Sequence, residues 1–121
     1  MSTQKVVLIT GASSGVGQST ARLLSQRGYK VFGTSHKLTS AEPLPNLEML
    51  VLDVRADDSV VDCVKAVSSQ AGRLDVLVNN AGYELAGALE ELSLDEAKAQ
   101  FETNFFGVVR MVKAVLPLMR Q

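Results

Sequence analysis

The chain is poor in the residues from which metal and thiol sites are built. It has one cysteine, Cys63, and one histidine, His36. A lone cysteine leaves no partner for an internal disulfide and no thiolate set for zinc or an iron–sulfur cluster. A lone histidine removes paired-histidine metal sites and argues against a histidine-centred triad, so no metal site is expected. Charge of one sign is also missing: 12 basic side chains stand against 13 acidic ones, for a net charge of -1. That balance gives no electrostatic footprint for nucleic acid or an anionic membrane. No apolar run is long enough to span a bilayer. The opening MSTQKVVLITG has one short apolar run that stops at Thr-Gly, without the long core or cleavage pattern of a secretory signal. The expectation is a protein of a reducing, cytoplasmic compartment. Proline is scarce as well, with three in all, of which Pro43 and Pro45 fall in one connection.

What remains is an ordinary globular mixture, 46% apolar and 21% charged over 121 residues, read as one domain over 1–121. Area scaling leaves about 6,300 Å² exposed when folded against about 19,000 Å² extended, so a real core is available. Residues 5–10 (KVVLIT) form an uninterrupted β-branched run and predict a buried strand. Residues 16–27 predict a helix in which Ala21 and Leu24 share a face, with Gly28 as its stop. Further strands are predicted at 29–34, 48–53 and 75–79, and a second helix at 58–71 that ends at Gly72. Residues 37–46 are a connection, opposed to regular structure by Pro43 and Pro45. Ser93 with Glu96 three residues on is a capping box, and it opens a long helix predicted over 94–120, which would span about 40 Å if unbroken. Pro117 is expected to fray or kink its end. Cys63 reads as a small apolar helix residue. Glu90 and Glu91 read as solvent-facing, and no paired-carboxylate site accompanies a nucleophile.

Strands separated by helical crossovers are βαβ units. Right-handed crossovers give a parallel sheet with helices on both faces, a three-layer α/β arrangement. The strongest local signal is TGASSGVG, Thr10 to Gly17, placed between a predicted strand and a predicted helix. Gly11 fits the turn out of the strand, Gly15 close approach to a phosphate, and Gly17 close packing of the helix on the sheet. The helix amides would then face a pyrophosphate. The alternative is a Gly/Ser-rich connection with no ligand.

These motifs, in this order, resemble a short-chain dehydrogenase/reductase of the classical type, and the likeness covers essentially the whole chain. It implies a Rossmann-like parallel sheet of about four strands in the order 3-2-1-4. It implies that Gly11, Ser13, Ser14, Gly15, Val16 and Gly17 form the cofactor turn. Asp53 falls where the family places an aspartate near the adenine, with Val54 packing by the base; the plain alternative is a solvent-facing cap or turn aspartate. NNAG at 79–82 matches the family's cofactor-adjacent motif. Asn79 would tether neighbouring backbone, and the small Asn80, Ala81 and Gly82 would let the ribose lie against the chain. Asn104, in TNFFG, falls at the family's catalytic asparagine, which would hold a water in a proton relay.

The choice between NAD and NADP sits just after the second strand. A carboxylate there accepts the ribose hydroxyls, and a cation favours the 2′-phosphate. The chain has Ser35, His36 and Lys37, and the hydroxyls of Thr34 and Ser35 as donors, which leans to NADP with NAD as the alternative. Histidine lacks the planar fork of arginine, and the glycine turn has Ser14 where NADP-preferring members often carry a base. Both features weaken the preference.

The resemblance also implies a serine and a Tyr-x-x-x-Lys pair, and neither is identifiable. Tyr29 is followed four residues on by Gly33, and Tyr83 by Gly87. The chain stops at Gln121, where the family turns into a fifth strand. The expectation is therefore the N-terminal, NADP-binding part of an oxidoreductase, inactive alone, with the cofactor weakly held or absent and a small-molecule substrate met only in a longer parent. The competing expectation is a non-catalytic, homo-oligomeric module with a degenerate cofactor site. A strand edge at 75–79 beside Val76, Leu77 and Val78, and the residues Phe101, Phe105, Val108, Val112 and Val115, predict a homodimer.

Overall fold

A strand with no polar interruption has two faces to bury, and it belongs at the middle of a covered sheet. In the computed structural model, which describes residues 3–37, 44–83 and 87–121, that strand is β1, Val6–Ile9, with all four residues buried. It is followed by α1 (Gly15–Gln26), β2 (Lys30–Ser35), β3 (Leu47–Val51), α2 (Asp57–Ala71) and β4 (Val76–Val78). The sheet is parallel, in the order β3-β2-β1-β4. Val7 pairs with Val31 on one side and Val76 on the other, and Ile9 with Gly33 and Val78. Both the α/β class and the expected strand order hold. Pro43 lies outside the described residues, and Pro45 falls in the turn that leads into β3.

Alternate residues of β1 feed different cores. Val7 and Ile9 join Val31, Ala12 and Ala21 beneath α1. Val6 and Leu8 join Phe32, Val60, Cys63 and Val67 beneath α2 on the opposite face. Burial pushes the Cys63 thiol up to about 11, which suits an inert packing residue. Gly28 ends the first helix with φ at 92°: its amide donates to the Ser25 carbonyl and that of Tyr29 to Leu24.

The long last helix is not unbroken. It divides into α3 (Leu94–Phe101), a π turn at Glu102–Phe106 and α4 (Gly107–Met119). The capping box is present, since the Ser93 hydroxyl accepts the Glu96 amide at 3.0 Å. Pro117 lies inside α4, which continues through it to Met119. Met111, Val115 and Leu118 bury α4 against α2 and the sheet. Gly107 lets the helix lie close to the loop after β3, since a Cβ there would lie 2.7 Å from Val54 Cγ2. No helix among the described residues is long and apolar enough to cross a membrane.

Candidate functional site

The C-terminal ends of β1, β2, β3 and β4 lie along one edge of the sheet, and the strand order reverses between β1 and β4. In open α/β sheets that crevice is where ligands sit. Three groups of residues lie along that edge, and part-buried polar contacts fix the first two to each other.

The first turn leaves β1. Gly11 and Gly15 have φ of 66° and 58°, conformations that suit glycine. A Cβ on Gly17 would lie 2.2 Å from the Gly11 carbonyl oxygen and 2.4 Å from Asn80 Nδ2, so only glycine lets α1 start this close to the strand. A Cβ on Gly15 would meet nothing within 4 Å, so its outer side is open. Ser13, Ser14, Gly15 and Val16 are exposed. Ser14 caps α1 in extended geometry without a side-chain cap bond, and the first turn carries no acidic residue. An uncrowded helix N-terminus with exposed serines and no carboxylate fits a dinucleotide pyrophosphate.

The second turn is NNAG, held by Thr10. The buried Thr10 hydroxyl accepts the amides of Asn80 and Ala81 at 3.0 and 2.9 Å. Asn80 Nδ2 donates to the Gly11 carbonyl at 2.8 Å. The tether expected of Asn79 is thus made by Asn80, whose side chain runs beneath the glycine turn while Asn79 is exposed. Ala81 lies against Gly11, where an added Cβ would stand 2.9 Å from Ala81 Cα. Gly82 and Asn104 are equally close, since a Cβ on Gly82 would lie 2.8 Å from Asn104 Oδ1.

Asn104 sits inside the π turn. Its Oδ1 accepts the Tyr83 amide at 3.0 Å, and its Nδ2 donates to the Tyr83 carbonyl at 2.6 Å. The side chain is therefore a clamp on the backbone that follows NNAG. Gln100 Nε2 adds a second donor to the same carbonyl at 3.3 Å. The π turn shifts the helix hydrogen bonds by one, with the Gly107 amide reaching the Glu102 carbonyl. Such turns occur frequently at functional sites.

The third group follows β2 and β3. His36 and Lys37 are exposed and Ser35 is half-buried, with its hydroxyl accepting the Lys37 amide at 3.3 Å. Thr34 is not available to a ligand. It is buried, and its hydroxyl accepts the Gly11 amide at 3.2 Å. Asp53 lies two residues beyond the end of β3. Its amide donates to Ser59 Oγ at 2.9 Å, and its carboxylate accepts both the amide and the guanidinium of Arg55. The Arg55 guanidinium bond holds the Asp53 carboxyl below the usual carboxylate range, against a smaller opposing effect of burial.

The expectation that the Val54 side chain packs by the base is corrected. Val54 is 4% exposed, within the core cluster that includes Met111, and faces Gly107. A residue covered by its own fold offers only main chain to a ligand. Its carbonyl is already met by Arg110 Nη1 at 3.3 Å. Arg110 also donates to Asp57 Oδ1 at 2.9 Å and to the Glu102 carboxylate, joining α4, the start of α2 and the π turn.

Comparison with known proteins agrees with this geometry. The family model for short chain dehydrogenase matches residues 5–121. A 3-ketodihydrosphingosine reductase of Bacteroides thetaiotaomicron is 50% identical over 117 residues, which are 97% of this chain and 43% of the relative. Retinol dehydrogenase 8 of Homo sapiens is 43% identical over 129 residues, covering 97% of this chain and 40% of the relative. The aldohexose dehydrogenase of Thermoplasma acidophilum superposes with a TM-score of 0.88 at 32% identity, over 98% of this chain and 46% of that one. ElxO with NADP bound gives 0.86 at 32% identity, over 94% and 50%. The chain thus spans less than half the length of these curated relatives, and with its glycine turn, NNAG turn and helix asparagine in place, it belongs to the short chain dehydrogenase family.

Proposed function

We propose that this chain is the dinucleotide-binding part of an NADP-dependent oxidoreductase and does not turn over substrate by itself. One observation carries the reading: the glycine turn and the NNAG turn are bonded together at the strand-order reversal, and Asp53 follows β3 on the same C-terminal edge of the sheet. Ser13, Ser14 and the first amides of α1 would hold the pyrophosphate. Asp53 would accept the adenine amino group, and Ala81 and Gly82 would lie along a ribose. The bound cofactor supplies or accepts a hydride. The protein's own part is to orient the dinucleotide and keep the Tyr83 backbone fixed through Asn104. The serine and the Tyr-x-x-x-Lys pair that would protonate a developing alkoxide are absent from these 121 residues. Two relatives named for a ketodihydrosphingosine and a retinol suggest a long apolar ketone or alcohol as the whole protein's substrate class.

NADP over NAD rests on His36 and Lys37, exposed beside Ser35 with no carboxylate among the three. Calorimetry with both dinucleotides tests it. NADP is expected to bind more tightly, and the gap to shrink in the His36→Ala/Lys37→Ala double variant. Equal or tighter NAD binding in the parent overturns the preference. Turnover that co-purifies with this chain and is lost in Asn104→Ala overturns the inactivity. The chain is further proposed to self-associate as a homodimer, because Phe101, Phe105 and Phe106 are exposed from the end of α3 through the π turn.

A further inference from the structure

Asp53 and Arg55 form the one fork-like ion pair at the ligand edge of the sheet among the described residues. Arg55 Nε lies 3.1 Å from Asp53 Oδ1, and Nη2 lies 3.3 Å from Oδ2. The Arg55 main-chain amide also donates to Oδ1, at 2.9 Å. A carboxylate has about four lone-pair positions. Oδ1 receives two of these donors and Oδ2 one, so the described bonds leave an acceptor position on Oδ2. An exposed ion pair two residues apart adds little to stability. Arg55 and Asp53 side chains are 48% and 34% exposed, so this pair has little to do for the fold itself. Its effect is on direction. An aspartate with a solvent-facing carboxylate samples several rotamers, whereas one gripped at both oxygens presents a single edge.

We propose that Arg55 is a positioning residue for base recognition: it locks the Asp53 carboxylate so that the remaining Oδ2 position faces the adenine amino group. This rests on the reading of Asp53 as the adenine acceptor. The charged groups that bear on Asp53 are Arg55 from its own loop and His36 from the end of β2. Ser59 from α2 meets only its amide. Arg55 therefore makes all the described side-chain contacts that orient the carboxylate.

The test compares two probes that differ at one substituent. 5′-AMP carries an exocyclic amine that donates, and 5′-IMP carries an oxygen that only accepts and meets the carboxylate unfavourably. Both are titrated into this chain, into Arg55→Ala and into Arg55→Lys, with circular dichroism confirming that each variant is folded. The parent is expected to favour AMP. In Arg55→Ala the AMP-to-IMP ratio should fall about threefold, the scale of one oriented hydrogen bond. In Arg55→Lys it should recover in part, through a single contact instead of a fork. A variant destabilised in general would lose both nucleotides together and leave the ratio unchanged. In parallel, the Asp53 carboxyl is titrated by carbon NMR without nucleotide and should move up to the ordinary aspartate range in Arg55→Ala.

A parent that binds neither nucleotide, or binds both equally, overturns the reading of Asp53 and this inference with it. A parent that favours AMP, and an Arg55→Ala variant that keeps the same ratio, overturns the role of Arg55 alone. So does an Asp53 titration that does not move.

Discussion

The Asn80 side-chain amide donates to the Gly11 carbonyl across 2.8 Å, joining two turns that lie 69 residues apart in the chain. With Thr10 accepting the amides of Asn80 and Ala81, it makes the glycine turn and the NNAG turn one unit. The phosphate end and the ribose end of the crevice are thereby set by the same few bonds. Asn80→Ala leaves the Gly11 carbonyl without this donor in a half-buried place. The expected cost is about 1–3 kcal/mol in urea unfolding, with a loss of dinucleotide affinity. An Asn79→Ala variant, whose side chain is exposed, should change stability by less than about 0.5 kcal/mol. Equal effects at the two positions would contradict the assignment of the tether to Asn80.

Gly17 is fixed by space, not by backbone angle. A Cβ there would stand 2.2 Å from the Gly11 carbonyl oxygen, which is backbone and cannot swing aside. Gly17→Ala must push α1 off the turn. The expected destabilisation is about 1–3 kcal/mol, and calorimetry should show dinucleotide binding abolished. Gly15→Ala is the contrast. It meets no neighbour within 4 Å but sits at φ 58°, so its cost is conformational, about 1 kcal/mol.

How much of this was legible in the sequence follows from the range of the contacts. The alternation of apolar runs and helical periods gave the layers, because burial on two faces leaves a local signature. Strand order needed the family resemblance. The π turn left no such signature, yet it decides which residues meet. A regular helix sets residues eight apart about 80° out of line, so Glu102 and Arg110 do not read as partners. The wider π turn between them brings their side chains together. Val54 shows the opposite failure. Its position after β3 suggested a ligand contact, but the close approach of Gly107 turns it into core. Thr34 likewise looked like a donor to a ligand, but the fold buries it, with its hydroxyl accepting the Gly11 amide. Asn79 and Asn80 are identical in type, and only the fold says which one points inward.

Acid should destabilise the fold through Asp75. Its Oδ2 accepts the Val6 amide at 2.8 Å, and Arg73 grips both oxygens. The Arg73 bond, and then the Val6 amide, hold the Asp75 carboxyl below the usual carboxylate range. The folded state therefore binds this proton less readily than the unfolded chain. The stabilisation is complete above the ordinary aspartate value near about pH 4 and is lost as pH falls through the lower, folded value. Urea unfolding between pH 7 and pH 2 should show this slope, shallower in Asp75→Asn. Asp53 shifts the same way through Arg55 and adds to the parent slope. A slope unchanged in Asp75→Asn would show that the bonds to Val6 and Arg73 carry no linkage.

Self-association is the prediction in which the surface speaks most directly. The apolar side chains at this surface are not scattered. Phe101, Phe105 and Phe106 are 61%, 56% and 48% exposed, and the last two meet edge to face at 5.1 Å between ring centres. Val109, Val112 and Leu116 continue the exposure along α4. Val108 is half-buried and Val115 buried, so the exposed stripe differs from the five residues the sequence suggested. β4 pairs with β1 on one side and with no described strand on the other, and Val76 on it is exposed. An open edge and an aromatic stripe are two separate reasons for copies to meet. An ordinary stable interface buries about 1,600 Å² in total. Sedimentation equilibrium is expected to give a dimer at micromolar concentration. Phe101→Ser/Phe105→Ser should shift it toward monomer if the helix is the contact, whereas Val76→Lys should do so if the edge is. A 13.0 kDa species that persists at high concentration and unfolds cooperatively would show that neither surface draws a second copy.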